Sequence, residues 1–368
     1  MTNTYPRLDI DLKAFRNNIA IIKNKYPNNR IILPVKANAY GHGDVVIAKE
    51  AEKIGIEYLA AARLCEGLKL RSNGVRLPIM LLGIESGENI KTALLNDIEL
   101  SASDPDNLKS IELAARSFSK KVNIHIKLDT GMRRLGCLEE NLSEIALFIR
   151  NSDHLNLKSF YTHLARSDDS VEFTNEQIKS FKNGLALLKS ANLTPEFCHI
   201  YNSGGILGDF EKCDNWAIRP GISAYGYSPF DDEDSLGLIP VMTFITQIIE
   251  IKKIPANTGV SYNHAYTTSK DTLIATIAAG YGDGIPRKLS NNLIVNINNK
   301  PYKQIGTISM DLMVIEVDES VKIGDEVVIF GNKSVAPNDA KSLAKQIGTI
   351  SYEITTGVSA RVFRRAVE

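Results

Sequence analysis

Between Ile31 and Ile222, short apolar runs of strand length alternate with longer stretches whose apolar residues recur at helical spacing. The runs are Ile31–Ala37, Glu57–Ala62, Leu77–Gly83, Ile98–Ser103, Val122–Thr130, Leu155–His163, Phe197–Ser203 and Trp216–Ile222. The stretches between them include Val45-Ala48-Ala51-Ile54 and Ile178-Phe181-Leu185-Leu188, each one face of a helix. Cap-like residues open several of these, as at Ser103-Asp104-Pro105 and Thr174-Asn175-Glu176. Strands joined through helices run parallel, because a parallel pair needs a crossover rather than a hairpin. Eight such units predict an α/β chain that begins with a (β/α)8 TIM-like barrel. An open doubly wound sheet is the alternative.

The rhythm changes after the acidic run Phe230-Asp231-Asp232-Glu233-Asp234, read as an exposed linker. Beyond it the strand-like runs Met242–Ile251, Leu273–Ala279, Leu293–Ile297, Lys303–Val317 and Glu326–Phe330 follow one another, with one helical stretch at Asn338–Ile347. The expected organisation is a barrel over residues 1–232 and a C-terminal mostly-β domain over residues 233–368. Within residues 1–11, the strand Arg7–Ile10 is expected to pair with the second domain.

Charge and cysteine usage narrow the function. Lys plus Arg and Asp plus Glu number 43 each, so the basic excess of a nucleic-acid or membrane-surface binder is missing. The opening MTNTYPRLDIDLKAF carries charge early and has no apolar signal-peptide core, and the longest apolar runs fall far short of a membrane span. Cys65, Cys137, Cys198 and Cys213 form neither a CxxC pair nor a metal-ligand spacing, so reduced thiols, no metal and a cytoplasmic location are expected.

Barrel enzymes carry their chemistry at the C-terminal ends of the strands. Lys36 ends the first run, and a lysine buried at that rim can become a nucleophile. Lys127 and Asp129 end the fifth, His163 the sixth, Asn202 and Ser203 the seventh, and Arg219 the eighth. Each alone has an ordinary reading: a snorkelling lysine, a core histidine, a surface ion pair. Their joint placement at one rim favours a site. Ser203-Gly204-Gly205 and Gly221-Ile222 offer a hydroxyl and open amides after the last two strands, where barrels often hold phosphate. A lysine that can form an imine beside a phosphate cradle points to pyridoxal phosphate. In the fifth run His125, Lys127 and Asp129 share one face, and the ordinary reading of Lys127 is an ion pair with Asp129 or another acid.

Taken together and in order, PVKANAYGHG, KLDTGMRRLG, NSGG, RPGI, VSYNHAY, GYGDGIPR, ISMDLMV and SYEITTGVSARV resemble the bacterial alanine racemases, fold-type III pyridoxal-phosphate enzymes. The likeness runs from Pro34 to the C-terminus. It implies a barrel followed by a β domain, interconversion of L-alanine and D-alanine, and supply of D-alanine for peptidoglycan. It implies that Lys36 holds pyridoxal 5'-phosphate and acts as one base, with Tyr262 as the second. Tyr40, Ser203 with its neighbour Asn202, Gly221, Ile222 and Tyr352 would bind the cofactor around its phosphate. His163 would lie against its ring and Arg219 at its pyridine nitrogen. Arg134, Tyr281, Met310 and Asp311 would serve the substrate, and Lys127 would be carbamylated, turning a cation beside Arg134 into an anion. The family is a head-to-tail homodimer in which Tyr262 and Met310 reach the partner's barrel.

The implied chemistry is coherent. Racemisation needs bases on opposite faces of the α-carbon, and an arginine can only donate to the pyridine nitrogen. A tyrosine base needs positive charge nearby, for which the His163–Arg219 side is the candidate. Asn263-His264 stand where a glycine usually follows the tyrosine, Ser309 where a cysteine is frequent, and Phe363 where proline is common. A related amino-acid decarboxylase would need a cysteine on the C-terminal loop, and none lies beyond Cys213. A racemase of serine or several amino acids, and a non-catalytic cofactor carrier, are the other rivals. Bulky Tyr352 and Met310 favour alanine over the first, and Tyr262 speaks against the second.

Overall fold

A computed structural model describes residues 4–230, 237–332 and 334–368. The chain opens on β1 (Arg7–Asp11). Eight parallel strands follow: β2 (Arg30–Pro34), β3 (Tyr58–Ala61), β4 (Ile79–Ile84), β5 (Ile98–Ala102), β6 (Val122–Lys127), β7 (Leu155–Tyr161), β8 (Phe197–His199) and β9 (Ala217–Ile218). They close into a barrel through Arg30↔Ala217 and Ile31↔Ile218, which excludes the open sheet.

Alternation along each strand divides the core in two. Ile31, Leu33, Leu59, Ile79, Ile124 and Ile126 belong to the large cluster shared with the surrounding helices. Ile32, Tyr58, Met80, Tyr161 and Phe197 fill a separate cluster inside the barrel. Asp104 caps Pro105–Ser117 by accepting from the Asn107 amide, as the sequence suggests. The helix expected to open at Thr174 begins earlier. It runs Val171–Ser190 with Ser170 as its cap, and Thr174 is a buried interior residue.

Beyond the barrel lie β10 (Met242–Ile254), β11 (Gly259–Val260), β12 (Tyr266–Thr267), β13 (Thr272–Ile277), β14 (Ile294–Ile297), β15 (Lys300–Ile305), β16 (Met313–Glu316), β17 (Glu326–Phe330) and β18 (Phe363–Val367). Seven of these and β1 form an eight-stranded sheet ordered β13-β16-β15-β14-β17-β10-β1-β18. Strand β1 pairs antiparallel with β10 and parallel with β18, so the chain's start is woven into the later sheet. The single expected strand Lys303–Val317 is two, β15 and β16, separated by a loop that carries Met310. Two helices follow rather than one, Ala340–Ile347 and Ser351–Gly357. The acidic linker at Asp231–Asp234, with the expected boundary at 232/233, lies outside the described residues.

Candidate active site

A cavity of about 600 Å³ opens at the C-terminal ends of the barrel strands. Lys36, Tyr40, Lys127, Arg134, His163, Asn202, Ser203, Arg219 and Gly221 line it from the barrel, and Tyr352 lines it from the helix Ser351–Gly357. Ile222 is fully buried next to Gly221.

Lys36 stands where β2 gives way to an unusual turn. Ala37, Asn38, Ala39 and Tyr40 all have φ between 50° and 55°, and Gly41 follows at 86°. A left-handed conformation costs a non-glycine residue about 1–2 kcal/mol, so the turn persists only because tertiary contacts over-determine it. The Glu66 carboxylate accepts from the Ala37 amide at 2.6 Å. The His42 ring donates from Nδ1 to the carbonyls of Ala39 and Tyr40, each at 3.0 Å. A Cβ on Gly41 would stand 2.0 Å from the Thr355 carbonyl, so glycine lets the helix Ser351–Gly357 close over the turn. This places Tyr352 against Tyr40, with ring centroids 5.9 Å apart.

The pocket is strongly cationic. Burial lowers the Lys36 ammonium, helped by Arg134 and Arg219. Burial, with Arg134 and Arg219, brings Lys127 down to about 8. Lys127 forms no ion pair with Asp129 or any other carboxylate among the described residues. Asp129 instead accepts from the amides of Gly131 and Arg133, and the Lys127 ammonium lies over the Tyr161 ring, 5.8 Å from its centroid.

Arg219 is buried and has no carboxylate partner among the described residues. One terminal nitrogen donates to His199 Nδ1 at 2.5 Å and to the His199 carbonyl at 2.9 Å; the other donates to the carbonyls of Thr162 (2.7 Å) and Ile200 (3.0 Å). Of the guanidinium's five N–H groups, Nε–H alone is left without a partner among the described residues. Burial draws the group down to about 10, so it keeps its proton at neutral pH. His163 is held well below its ordinary value by burial and by Arg219, so it is neutral, and Arg219 carries the positive charge on that side.

Ser203 Oγ accepts from the Ser223 amide at 3.1 Å, and Asn202 Oδ1 accepts from the Gly205 amide and the Ser167 hydroxyl. A Cβ on Gly221 would come within 2.8 Å of the Tyr40 hydroxyl and 3.7 Å of Ser203 Oγ. Tyr40, Ser203 and Gly221 therefore converge on one small space.

Four expected site residues lie elsewhere. Tyr262, 66% exposed, borders a second hollow with Ser261, Ser309 and Leu312. The Tyr281 amide donates to the Ser309 carbonyl, Met310 is exposed, and Asp311 pairs with Arg361 at 2.8 Å. Ser261, Asn263 and His264 all have positive φ, which gives a physical reason for glycine to suit this loop. Sequence reasoning missed Tyr161, His199, Ile350 and Thr356. Tyr161 carried a signal, standing two residues before His163 on one strand face.

Fold and site together define a barrel enzyme with Lys36 in a cationic pocket at the strand ends, bordered by the helix Ser351–Gly357. Residues 10–229 match the family described as alanine racemase, N-terminal domain, and residues 241–366 match alanine racemase, C-terminal domain. The alanine racemase of Treponema denticola is 40% identical over 366 residues, 96% of each chain. Alanine racemase 2 of Caldanaerobacter subterraneus is 36% identical over 97% of this chain and 94% of its own. The solved alanine racemase of Clostridium difficile 630 superposes with a TM-score of 0.95 at 34% identity, over 100% of this chain and 97% of that one. The structure from Bacillus anthracis with bound L-Ala-P gives 0.91 at 32% identity, over 99% and 95%. The chain belongs to the alanine racemase family, which are pyridoxal-phosphate-dependent isomerases.

Proposed function

We propose that this chain interconverts L-alanine and D-alanine as a homodimer carrying pyridoxal 5'-phosphate, supplying D-alanine for peptidoglycan in the cytoplasm. The observation that carries the reading is the half-buried Lys36 amine, sharing one cavity with Arg219, whose Nε–H has no partner among the described residues. The residues present fit the cofactor. The converging Tyr40, Ser203 and Gly221 suit a phosphate, the excess of cations suits its charge, and a cavity near 600 Å³ is of ligand size. Asn202, Ile222 and Tyr352 complete that end, and His163 flanks the ring. When bound, pyridoxal phosphate supplies an electron sink that acidifies the α-carbon of the amino acid joined to it.

The chain's own residues do the rest. Lys36 takes or returns a proton at the α-carbon on one face, and the partner subunit's Tyr262 does so on the other. The exposure of Tyr262, Met310, Tyr281 and Leu312 on one side of the β domain supports a dimer in which that side covers the partner's cavity. Arg134 holds the substrate carboxylate, and Tyr281 and Asp311 border its path. Tyr352 and the partner subunit's Met310 would crowd a side chain larger than methyl, which favours alanine. Lys127, lowered to about 8, is a free amine often enough to add carbon dioxide, releasing a proton and becoming an anion that steadies Arg134. The division into a barrel over 1–232 and a β domain over 233–368 is part of the same proposal.

The test is incubation with L-alanine in deuterated water, following D-alanine and α-deuterium together. D-alanine bearing solvent deuterium is the expected result. Deuterium in L-alanine without inversion would leave Lys36 working and remove Tyr262 from the reaction. Neither product, with cofactor bound, would overturn the reading.

A further inference from the structure

Beneath Arg219 the barrel interior carries one continuous line of polar side chains. His199 Nδ1 receives Arg219, and His199 Nε2 lies 2.9 Å from Ser159 Oγ. Ser159 Oγ lies 2.6 Å from His125 Nδ1, and His125 Nε2 lies 2.9 Å from Glu99 Oε2. His199, Ser159 and His125 are fully buried, and none of them lines the Lys36 cavity. Glu99 also accepts from Asn123 Nδ2 at 2.6 Å.

The two ends fix the direction of every bond. A guanidinium only donates, so His199 Nδ1 is bare, and a neutral imidazole then carries its proton on Nε2. That N–H donates to the Ser159 oxygen, and the single hydroxyl proton of Ser159 is left for His125 Nδ1. His125 therefore presents Nε2–H to Glu99, a carboxylate that only accepts. One further fact agrees with this: burial and the Arg219 charge hold His199 well below its ordinary value.

We propose that Glu99, acting through His125, Ser159 and His199, is a positioning residue for the reaction: it fixes the His199 tautomer and so keeps Arg219 turned as a donor toward the Lys36 cavity. The inference rests on the reading of that cavity as the cofactor site. Buried Arg219 has no direct counter-ion among the described residues, and Glu99 is the carboxylate at the far end of its hydrogen-bonded line. Glutamine at position 99 removes the constraint, because its amide can donate to His125 Nε2. Every bond can then reverse, and His199 Nδ1–H faces the Arg219 N–H across 2.5 Å, donor against donor. Arg219 must then turn aside.

The experiment is NMR of full-length protein labelled with 15N-histidine, with and without added pyridoxal phosphate, alongside steady-state kinetics. His125 and His199 are expected as Nε2–H tautomers in both forms of the wild type. Glu99→Gln is expected to populate Nδ1–H at both, and to lower kcat at least tenfold with KM for alanine within twofold. Glu99→Asp, which keeps the carboxylate, is expected to restore both readouts in large part. Should Glu99→Gln fold poorly, Ser159→Ala cuts the line at its middle. It is expected to lower kcat similarly, with no added loss when combined with Glu99→Gln. A wild-type His199 protonated on Nδ1, a doubly protonated His125, or unchanged tautomers and kcat in Glu99→Gln would each overturn the proposal. The tautomers are read in the cofactor-free protein as well as in the loaded one. The expected tautomers in a protein that neither binds pyridoxal phosphate nor racemises alanine would instead refute the reading of the cavity, and with it a catalytic role for Glu99.

Discussion

Gly221→Ala tests the anion cradle with little disturbance elsewhere. Gly221 is not among the positive-φ glycines, so alanine can adopt its backbone without strain. The new Cβ would lie 2.8 Å from the Tyr40 hydroxyl and 3.4 Å from Tyr40 Cζ, and at the shorter of these something must move. Tyr40 has little room to retreat, since its ring stacks on Tyr225 at 5.0 Å and packs against Tyr352 at 5.9 Å. The methyl therefore occupies the space proposed for a phosphate oxygen, or drives the phenol out of it. Losing one hydrogen bond to a charged group costs about 1.5–3 kcal/mol, which raises the dissociation constant about 10- to 150-fold. Overpacking costs the cofactor-free protein about 1–3 kcal/mol in addition. The assay is titration of cofactor-stripped protein with pyridoxal phosphate, followed by absorbance and intrinsic fluorescence, with Ser203→Ala expected near the low end of that range. A folded Gly221→Ala protein that binds pyridoxal phosphate within twofold of wild type would refute the assignment of the cradle.

Three further predictions address other parts of the molecule. A lysine at about 8 is roughly one-quarter neutral near pH 7.5, so Lys127 should give a carbamate signal in 13C-bicarbonate NMR, and bare Lys127 in fully active enzyme would count against the carbamate. Tyr262→Phe should lower racemisation by about 10²- to 10⁴-fold while leaving pyridoxal phosphate binding and the dimer intact by light scattering; retained activity would exclude Tyr262 as a base. His42 is fully buried and held at about 4, chiefly by burial, against an ordinary 6.5. As pH falls below 6.5 the unfolded chain takes up this proton and the folded one does not, so stability drains away down to about pH 4, by about 3 kcal/mol in all. Urea melts across that window should be flatter for His42→Asn than for wild type, and equal slopes would show that His42 binds its proton alike in both states.

Barrel strands such as β2 (RIILP) and β4 (IMLLGI) were legible because a parallel strand buried on both faces reads as a near-continuous apolar run, while β5, β6 and β7 were legible from their alternation with helical stretches. What escaped the sequence was set by tertiary contact. The loop between β15 and β16 keeps Ile308 and Leu312, so the apolar pattern runs through it although Gly306 turns the chain at φ 77°. Strand β18 reads FRRAV, with two arginines among its five residues, because it lies at the sheet edge beside β1. The left-handed turn after Lys36 uses alanine and tyrosine, which do not seek that conformation alone. The neighbouring His42 ring braces it locally, and Glu66 and the helix Ser351–Gly357, brought in from distant positions, hold it from outside.

The site divides along a similar line. Lys36, Lys127, His163, Ser203 and Arg219 could be placed together because barrel topology puts all strand ends at one rim. The polar line below them could not. His125 and His199, taken singly, are ordinary buried histidines, and no local feature couples them. Their coupling depends on register: β6 sets His125 beside Ser159 of β7, and β7 sets Ser159 beside Phe197 of β8, two residues before His199. A slip of one residue would send the Ser159 hydroxyl to the opposite face and break the line. The β6–β7 ladder shifts register between Ile124 and His125, so the pairing of His125 with Ser159 depends on that local irregularity. The irregularity thus bears on the chemistry as well as the fold, because without it Arg219 would lose its bridge to Glu99.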